Sequence, residues 1–446
     1  MRIALIRPNI GRLEHSLFVD EARMEPLEIA VIAGLTPENH EILMFDDRVE
    51  PIDYDCGADL AAVSIQTFTA RRGYEICAGF RERGVPVVLG GIHVSLAPEE
   101  AASHADSIVT GDVEMVWSDL LHDAAAGQIK RRYNAGIGVA HPGKIPDRRV
   151  YSGKKYLPIT LLQFGRGCRH ECDYCATGAY AKGSFHHRQI DQVLAEIGTQ
   201  TRRYLFFVDD NIVSNRDAAK DLFRELEPLK IKWVSQASID MTRDEELMNL
   251  MARSGCLGNV VGFESLDERN LASVGKTVNS TAVGTGFRRE IEVLRNYGLQ
   301  TWAAFTLGYD HDTVESVKHT LDFALKNRFA FAAFNILMPY PGTPFHTRLR
   351  RQSRLLYDES WWLHPEYRFN HAAFRPRLMT PDELTDVGFH CRSVFNRPSS
   401  IIRRAFDFKT NMRSILKLGI YALYAPLFRR EAFKKQGMRL GLKDEN

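Results

Sequence analysis

Residues 157–175 read LPITLLQFGRGCRHECDYC. The first eight positions form an apolar run of strand length that closes on a glycine, the pattern of a buried strand. Directly behind it come Cys168, Cys172 and Cys175 in a CxxxCxxC spacing. What that loop can do depends on which sheet the strand enters, so the reading proceeds downstream first. RYLFFVD, IKWVSQA, GNVVGFE, LQTWAAFTLG and FAAFNILMP are further strand candidates, separated by helical patterns such as DEELMNLMARSG. Six strand–helix units predict a partial (β/α)6 TIM-like barrel over residues 156–345. Its active site is expected at the C-terminal strand ends, where the cysteine loop sits.

Upstream the alternation is of the same kind. RIALIRP, HEILMFDD, LAAVSIQT, VPVVLGG and SIVTGD are short apolar runs, with helical patterns ARRGYEICAGFRERG and PEEAASHA among them. This predicts an α/β domain over residues 1–127 with a doubly wound, flavodoxin- or Rossmann-like parallel sheet, which binds ligands beyond its carboxyl strand ends. The first strand runs into PNIGRLEH rather than Gly-x-Gly-x-x-Gly, which disfavours a nicotinamide site. Residues 128–155, charged and rich in Gly and Pro, read as a linker. Residues 346–446 read as a helical, basic C-terminal segment, with eleven Lys or Arg against four Asp or Glu from 401 onward.

Composition narrows the classes. At 446 residues, 44% hydrophobic and 26% charged, the chain suits a folded protein with two or three cores and excludes a disordered or collagen-like one. A net charge of +2 gives no general attraction to nucleic acid, so no stable nucleic-acid partner is expected. Without a signal-peptide cleavage pattern or a run of about 20 apolar residues, export and membrane spanning are not expected. The apolar stretch SILKLGIYALYAPLF allows at most peripheral membrane contact. Seven cysteines, three of them crowded together, point to a reducing cytoplasm and a metal rather than disulfides.

Three thiolates leave a tetrahedral zinc site one ligand short. They suit a [4Fe–4S] cluster with one iron free for a non-protein ligand, and Arg166, Arg169 and His170 lie close enough in sequence to offset its charge. The motif, with Tyr174 before its third cysteine, resembles that of the radical S-adenosylmethionine (SAM) enzymes. That resemblance implies that Cys168, Cys172 and Cys175 hold the cluster and Tyr174 contacts adenine. The open iron would chelate SAM, whose reductive cleavage gives a 5′-deoxyadenosyl radical. It also implies SAM contacts from Asp209 and Asp210 after the second strand, Gln236 and Ser238 at the third, and Glu264 at the fourth. A helix cap or a solvated loop residue is the alternative at each. Lys276 falls at a recurrent family position but alone reads as surface. Tyr309, Asp310, Tyr340, Trp302 and His311 are candidates for substrate contact or proton transfer near strands five and six. Cys56, Cys77, Cys256 and Cys391 read as buried small hydrophobes.

EPLEIAVIAGL, DDRVEPIDYD, SIQTFTARRGYEI, VVLGGIHVSLAPEEA and TGDVE resemble the cobalamin-binding domain that precedes the barrel in one radical SAM subclass. The resemblance implies a corrin near Ser64 and its loop to Thr69, Gly90, Gly91, His93 and the Thr110–Gly111 turn. No Asp-x-His-x-x-Gly occurs, so the histidine-ligated mode of cobalamin binding is unsupported, and a domain that keeps the fold without the corrin stays open. The implied activity is C-methylation of an unactivated carbon on a small-molecule substrate, with an external electron donor such as flavodoxin or ferredoxin. Corrin-free radical dehydration, cyclisation, epimerisation or rearrangement is the alternative, and a non-catalytic iron–sulfur redox protein a remote one. ESWWLHPEYRFNHAAF reads either as a pocket wall or as packing of the third segment on the barrel.

Overall fold

The computed structural model describes residues 1–11, 24–138 and 144–442. The second half of PNIGRLEH and residues 139–143 of the expected linker lie outside the described residues. In the first domain β1 (Arg2–Arg7), β2 (Glu41–Asp46), β3 (Leu60–Ser64), β4 (Val87–Gly90), β5 (Ser107–Thr110) and β6 (Arg132–Asn134) form one parallel sheet in the order β2-β1-β3-β4-β5-β6. The order reverses between β1 and β3, which opens a crevice at their carboxyl ends. Five strands match the sequence reading. β6 falls inside the stretch read as linker, where three residues with only Tyr133 buried carry almost no periodic signal. Further along that stretch, the Tyr151 hydroxyl donates to the Pro26 carbonyl at 2.7 Å, so the connector packs on the first domain.

The second sheet holds β7 (Thr160–Leu162), β10 (Tyr204–Phe207), β11 (Lys232–Ala237), β12 (Cys256–Glu264), β13 (Gln300–Leu307) and β14 (Phe331–Ile336), all parallel and in chain order. This is the expected six-stranded partial barrel. Trp233, Phe263, Phe305 and Phe334 point outward from it into the core beneath its helices. A separate antiparallel ribbon, β8 (Gly165–Gly167) with β9 (Phe185–His187), brackets the cysteine loop.

The C-terminal segment serves both domains. Helix Pro381–Phe395 starts on TPDE, where the Thr380 hydroxyl accepts from the Glu383 amide and the Glu383 carboxylate from the Thr380 amide, and it covers the last barrel strand. Trp361, Trp362 and Tyr367 are buried in one core with first-domain residues: Trp361 packs on Phe68, and Trp362 lies edge-on to His93 and donates to Glu100 at 3.0 Å. The WWLHPEY stretch therefore packs on both domains, since Trp361 Nε1 also donates to the Pro339 carbonyl at 2.9 Å and its ring lies against Tyr340, just past the last barrel strand. Among the described residues no helix is long and apolar enough to cross a membrane.

Candidate functional site

The cysteine loop leaves the ribbon at Gly167 and ends at helix Ala176–Ala181, whose N-terminal cap is Cys175 itself; its sulfur accepts from the Gly178 amide at 3.4 Å. The three thiols are free, Cys172 buried and the other two half-buried. Burial pushes the Cys172 thiol up to about 11 and raises Cys175, so anything bound there must displace protons. Among the described residues no three His, Cys, Asp or Glu side chains could hold one metal ion. A single ion needs every donor within about 2.3 Å of one point, whereas cluster thiolates each take a different iron.

Two further charges face the sulfurs. Burial opposes the charge of Lys276, but the Glu264 carboxylate and the Cys172 and Cys175 sulfurs reverse that and hold the ammonium above its ordinary value. Its Nζ lies 3.3 Å from Glu264 Oε1, so Lys276 is not the surface residue its isolation suggested. Glu264 stands at a bulge between β12 and β13 with φ +65°, a conformation that costs a non-glycine residue about 1–3 kcal/mol. The Asn279 side chain pins that bulge by donating to the Gly262 and Phe263 carbonyls, each at 2.9 Å, and the Thr306 hydroxyl donates to Glu264 Oε2 at 2.6 Å. Gly262 leaves room for the carboxylate, since a Cβ there would stand 2.3 Å from Glu264 Oε1. Beside it the Tyr174 ring meets Tyr309 edge-on at 6.4 Å. The Tyr309 hydroxyl is fully buried and has no hydrogen-bond partner, a state that costs about 1–3 kcal/mol unless a ligand satisfies it.

The strand-end carboxylates divide. Asp209 is fully buried and accepts from the Phe164 amide at 3.0 Å and from the Gly165 amide. Burial pushes it up to about 7 against those two donors. It shapes the turn into the cysteine loop, and its oxygens are spent there instead of on a ligand. Asp210 is exposed; it accepts from the Gly167 amide at 3.1 Å and the Thr177 hydroxyl at 2.9 Å, tying the two ends of the loop together. Ser238 and Asn211 bond each other twice, both at 3.1 Å, while the half-buried Gln236 side chain alternates onto the inner barrel face.

The crevice of the first domain opens onto this loop. A cavity of about 330 Å³ is bordered by Ser64, Gly90, Gly91 and Gly111 on one side and Gln163, Arg166, Thr177, Tyr180 and Asp210 on the other. Gly90 faces open space, since a Cβ there would meet nothing within 4 Å. Gly91, at φ +102°, has no such room: a Cβ would stand 2.4 Å from the Ile65 carbonyl oxygen. His93 is turned away from the cavity. It is fully buried with Nδ1 3.2 Å from the Thr67 hydroxyl and Nε2 3.0 Å from Glu100, which also accepts from Tyr74 and Trp362. Arg166 crosses from the barrel to the first domain, reaching Asp112 and Glu114 at 2.8 Å each, and the Tyr180 hydroxyl donates to Asp112 at 2.6 Å. Its charge is thus consumed in holding the domains together and is not available to offset thiolates.

Of the remaining candidates, Tyr340 packs against Phe68 and Trp361, and the Cys175 sulfur is the charge that bears on its hydroxyl, which burial holds protonated. Asp310 pairs with Arg354 at 2.8 Å and Arg377 at 3.0 Å; these guanidiniums outweigh its burial and hold it below the usual carboxylate range. It is a surface ion-pair centre, not a catalytic group. Trp302 meets Phe428 edge-on at 4.4 Å and lies tilted against Phe331 at the far end of the barrel, and His311 is exposed.

The radical SAM superfamily model matches residues 162–324. The bacteriochlorophyllide d C-8(2)-methyltransferase of Chlorobaculum tepidum is 31% identical over 372 residues, covering 77% of this chain and 80% of that protein. The chain belongs to the radical SAM superfamily. A second C. tepidum enzyme, the bacteriochlorophyllide d C-12(1)-methyltransferase, is 26% identical over 90% of this radical SAM chain and 88% of its own. The structure of the radical SAM methyltransferase TsrM from Kitasatospora setae, with cobalamin and a [4Fe–4S] cluster bound, superposes with a TM-score of 0.62 at 18% identity, over 79% of this chain and 75% of that one, and so shares the fold.

In this radical SAM enzyme the donor set fits the family's cofactors. Three free thiols spaced for separate irons, an ammonium beside them, and an unpartnered buried hydroxyl form a site short of its ligands. Thr306, Asn279 and the Asp112–Glu114 pair escaped the sequence reading. TGDVE and GNVVGFE show polar residues at strand ends, but which of them turn toward the loop is not encoded in spacing. Gly262→Ala is expected to push Glu264 off Lys276 and weaken SAM binding about tenfold, the scale of overpacking one methyl. Isothermal titration of the reconstituted enzyme checks this, and an unchanged affinity would remove Glu264 from the SAM site.

Proposed function

We propose that this radical SAM enzyme is a cobalamin-dependent C-methyltransferase acting on a small-molecule substrate in the cytoplasm, with electrons from an external donor such as flavodoxin or ferredoxin. The observation that carries it is the shared wall: Arg166 precedes the cluster cysteines by two positions, Thr177 follows them by two, and both line the cavity bordered by Ser64, Gly90 and Gly91. Cys168, Cys172 and Cys175 would hold a cluster, which would supply the electron for SAM cleavage, and the cavity would hold cobalamin, which would supply the methyl group. Around them the chain positions and excludes water. Lys276 and Glu264 offer opposite charges to the amino-acid part of SAM. Tyr174 gives its ring to the adenine, and the Tyr309 hydroxyl awaits an acceptor or donor. Gln236 on the inner barrel face is a further SAM contact, and Asp210 and Ser238 border the loop from either side. Gly90 and Gly91 let the backbone approach a flat ring, and His93, held by Thr67 and Glu100, offers the corrin no ligand. Tyr340, between Phe68 and the Cys175 sulfur, is placed to contact substrate. Methyltransferase activity in both relatives supports the reading.

The test is anaerobic reconstitution with iron and sulfide, followed by gel filtration with methylcobalamin and assay of 5′-deoxyadenosine. Corrin absorbance that co-elutes with the protein, together with SAM cleavage, is expected. Free corrin alongside full SAM cleavage would overturn methyl transfer and leave the corrin-free chemistry.

A further inference from the structure

Of the eleven large apolar side chains left exposed among the described residues, six lie between positions 402 and 433. Five of them are bare: Ile402 at 60%, Phe406 at 54%, Phe408 at 72%, Ile415 at 93% and Leu423 at 67% exposed. Scattered surface hydrophobes need no explanation, but this density in one segment does. Helix Pro398–Ala405 and helix Ile415–Lys434 lie together, with the Tyr421 hydroxyl donating to the Ile401 carbonyl at 2.8 Å. The longer helix turns Tyr421, Ala425 and Phe428 inward onto Ala330, Phe331 and Trp302, yet stays apolar on its outer side. A helix apolar all round is normally buried on every side. This one is covered on one side only, and it is too short of apolar residues to span a bilayer.

The charges around the patch select what covers it. Arg403, Lys409 and Arg413 are exposed. Lys409 and Arg413 donate to the uncharged Asn296, at 3.5 and 2.8 Å, so their charge is not neutralised there. From 397 to 430 the sole acidic residue is Asp407, which is buried and bound by Arg295 at 2.6 Å. A second copy docking on the same face would set these cations against their equivalents, as two-fold interfaces require. An anionic lipid surface meets both features at once: headgroups pair with the cations while Phe408, Ile415 and Leu423 enter the acyl boundary.

We infer that residues 398–423 form a docking surface for an anionic membrane. The patch lies by Asn296 and Gly298, which lead into β13, and Arg328 donates to the Phe406 carbonyl at 3.4 Å. It is thus at the amino end of the barrel, opposite the cysteine loop. Docking leaves the loop and the domain crevice turned away from lipid. The inference is independent of the reaction proposed above.

The test is flotation of the full-length reconstituted protein with vesicles of phosphatidylcholine alone or mixed with phosphatidylglycerol. Binding is expected to the mixed vesicles only and to fall with added salt. Replacing Arg403, Lys409 and Arg413 with Gln lowers the partition roughly a hundredfold, about fivefold per cation. Phe408→Ser with Ile415→Ser and Leu423→Ser abolishes it, and both triple variants keep SAM cleavage, which reports folding. No binding to the mixed vesicles, equal binding to phosphatidylcholine alone, or self-association that the same substitutions remove would overturn the inference. Should a variant fail to fold, the lipid and salt dependence of the unmodified protein still decides.

Discussion

Cys172→Ala is expected to abolish SAM cleavage and to leave the reconstituted protein with far less than the about four irons per chain of a cubane. Cys172 is the most enclosed of the three thiols, faced by Lys276 and Glu264, and its carbonyl accepts the Cys175 amide at 3.0 Å, so it stands at the centre of the loop. Two remaining thiolates cannot hold a cluster that needs three corners tied. The fold should survive, because the loop backbone is held by Asp209 and Asp210 and the change deletes one sulfur. Circular dichroism is expected to be unchanged while iron, the visible absorbance of the cluster and 5′-deoxyadenosine all vanish. Cys391→Ala is the control. That thiol is fully buried under the barrel helices, burial pushes it up to about 12, and its removal leaves iron and turnover intact. Iron retained in Cys172→Ala would end the assignment of the loop.

Arg166→Met carries the second large effect. The guanidinium is almost wholly enclosed and bonds Asp112 and Glu114, which are themselves buried, and it also donates to Gln163 at 3.0 Å. Removing it strands two carboxylates, and breaking a buried pair in this way costs about 3–5 kcal/mol. The denaturant midpoint should fall accordingly. Adding Asp112→Asn and Glu114→Gln to the variant recovers much of the loss, because the stranded charge and not the missing bond dominates. The same triple variant keeps the domains less firmly apposed, so methylcobalamin retention stays low even where stability returns. A loss below about 1 kcal/mol in the single variant would mean that the two domains are held mainly by the Trp361–Trp362 weld.

The elements that sequence alone made legible are those with periodic or local signals. The strands of both sheets, the CxxxCxxC loop and its place at a strand end follow from patterns a few residues long. β6 carries no period, being three residues with one buried tyrosine, and the apolar composition of WWLHPEY does not say that its tryptophans meet the first domain as well as the barrel. Glu264 and Tyr309 follow strand ends, and the structure places the Glu264 carboxylate beside Lys276 and the Tyr309 ring against Tyr174. Asp310, from the same reasoning, points outward to Arg354 and Arg377.

By itself the sequence determined the two-domain α/β architecture, the CxxxCxxC loop at a strand end and the family, since spacing along one loop and alternation along each strand are properties of neighbouring residues. Only the tertiary structure decided how the polar residues divide their work. Asp209 holds a turn, Lys276 faces the sulfurs, His93 is locked into a core network, and Arg166 spans two domains. Each of those outcomes depends on a partner outside the motif, such as Glu264 for Lys276 or Asp112 for Arg166. Burial then makes each pairing obligatory, because a charge or donor removed from water must find its complement wherever the fold brings one within reach.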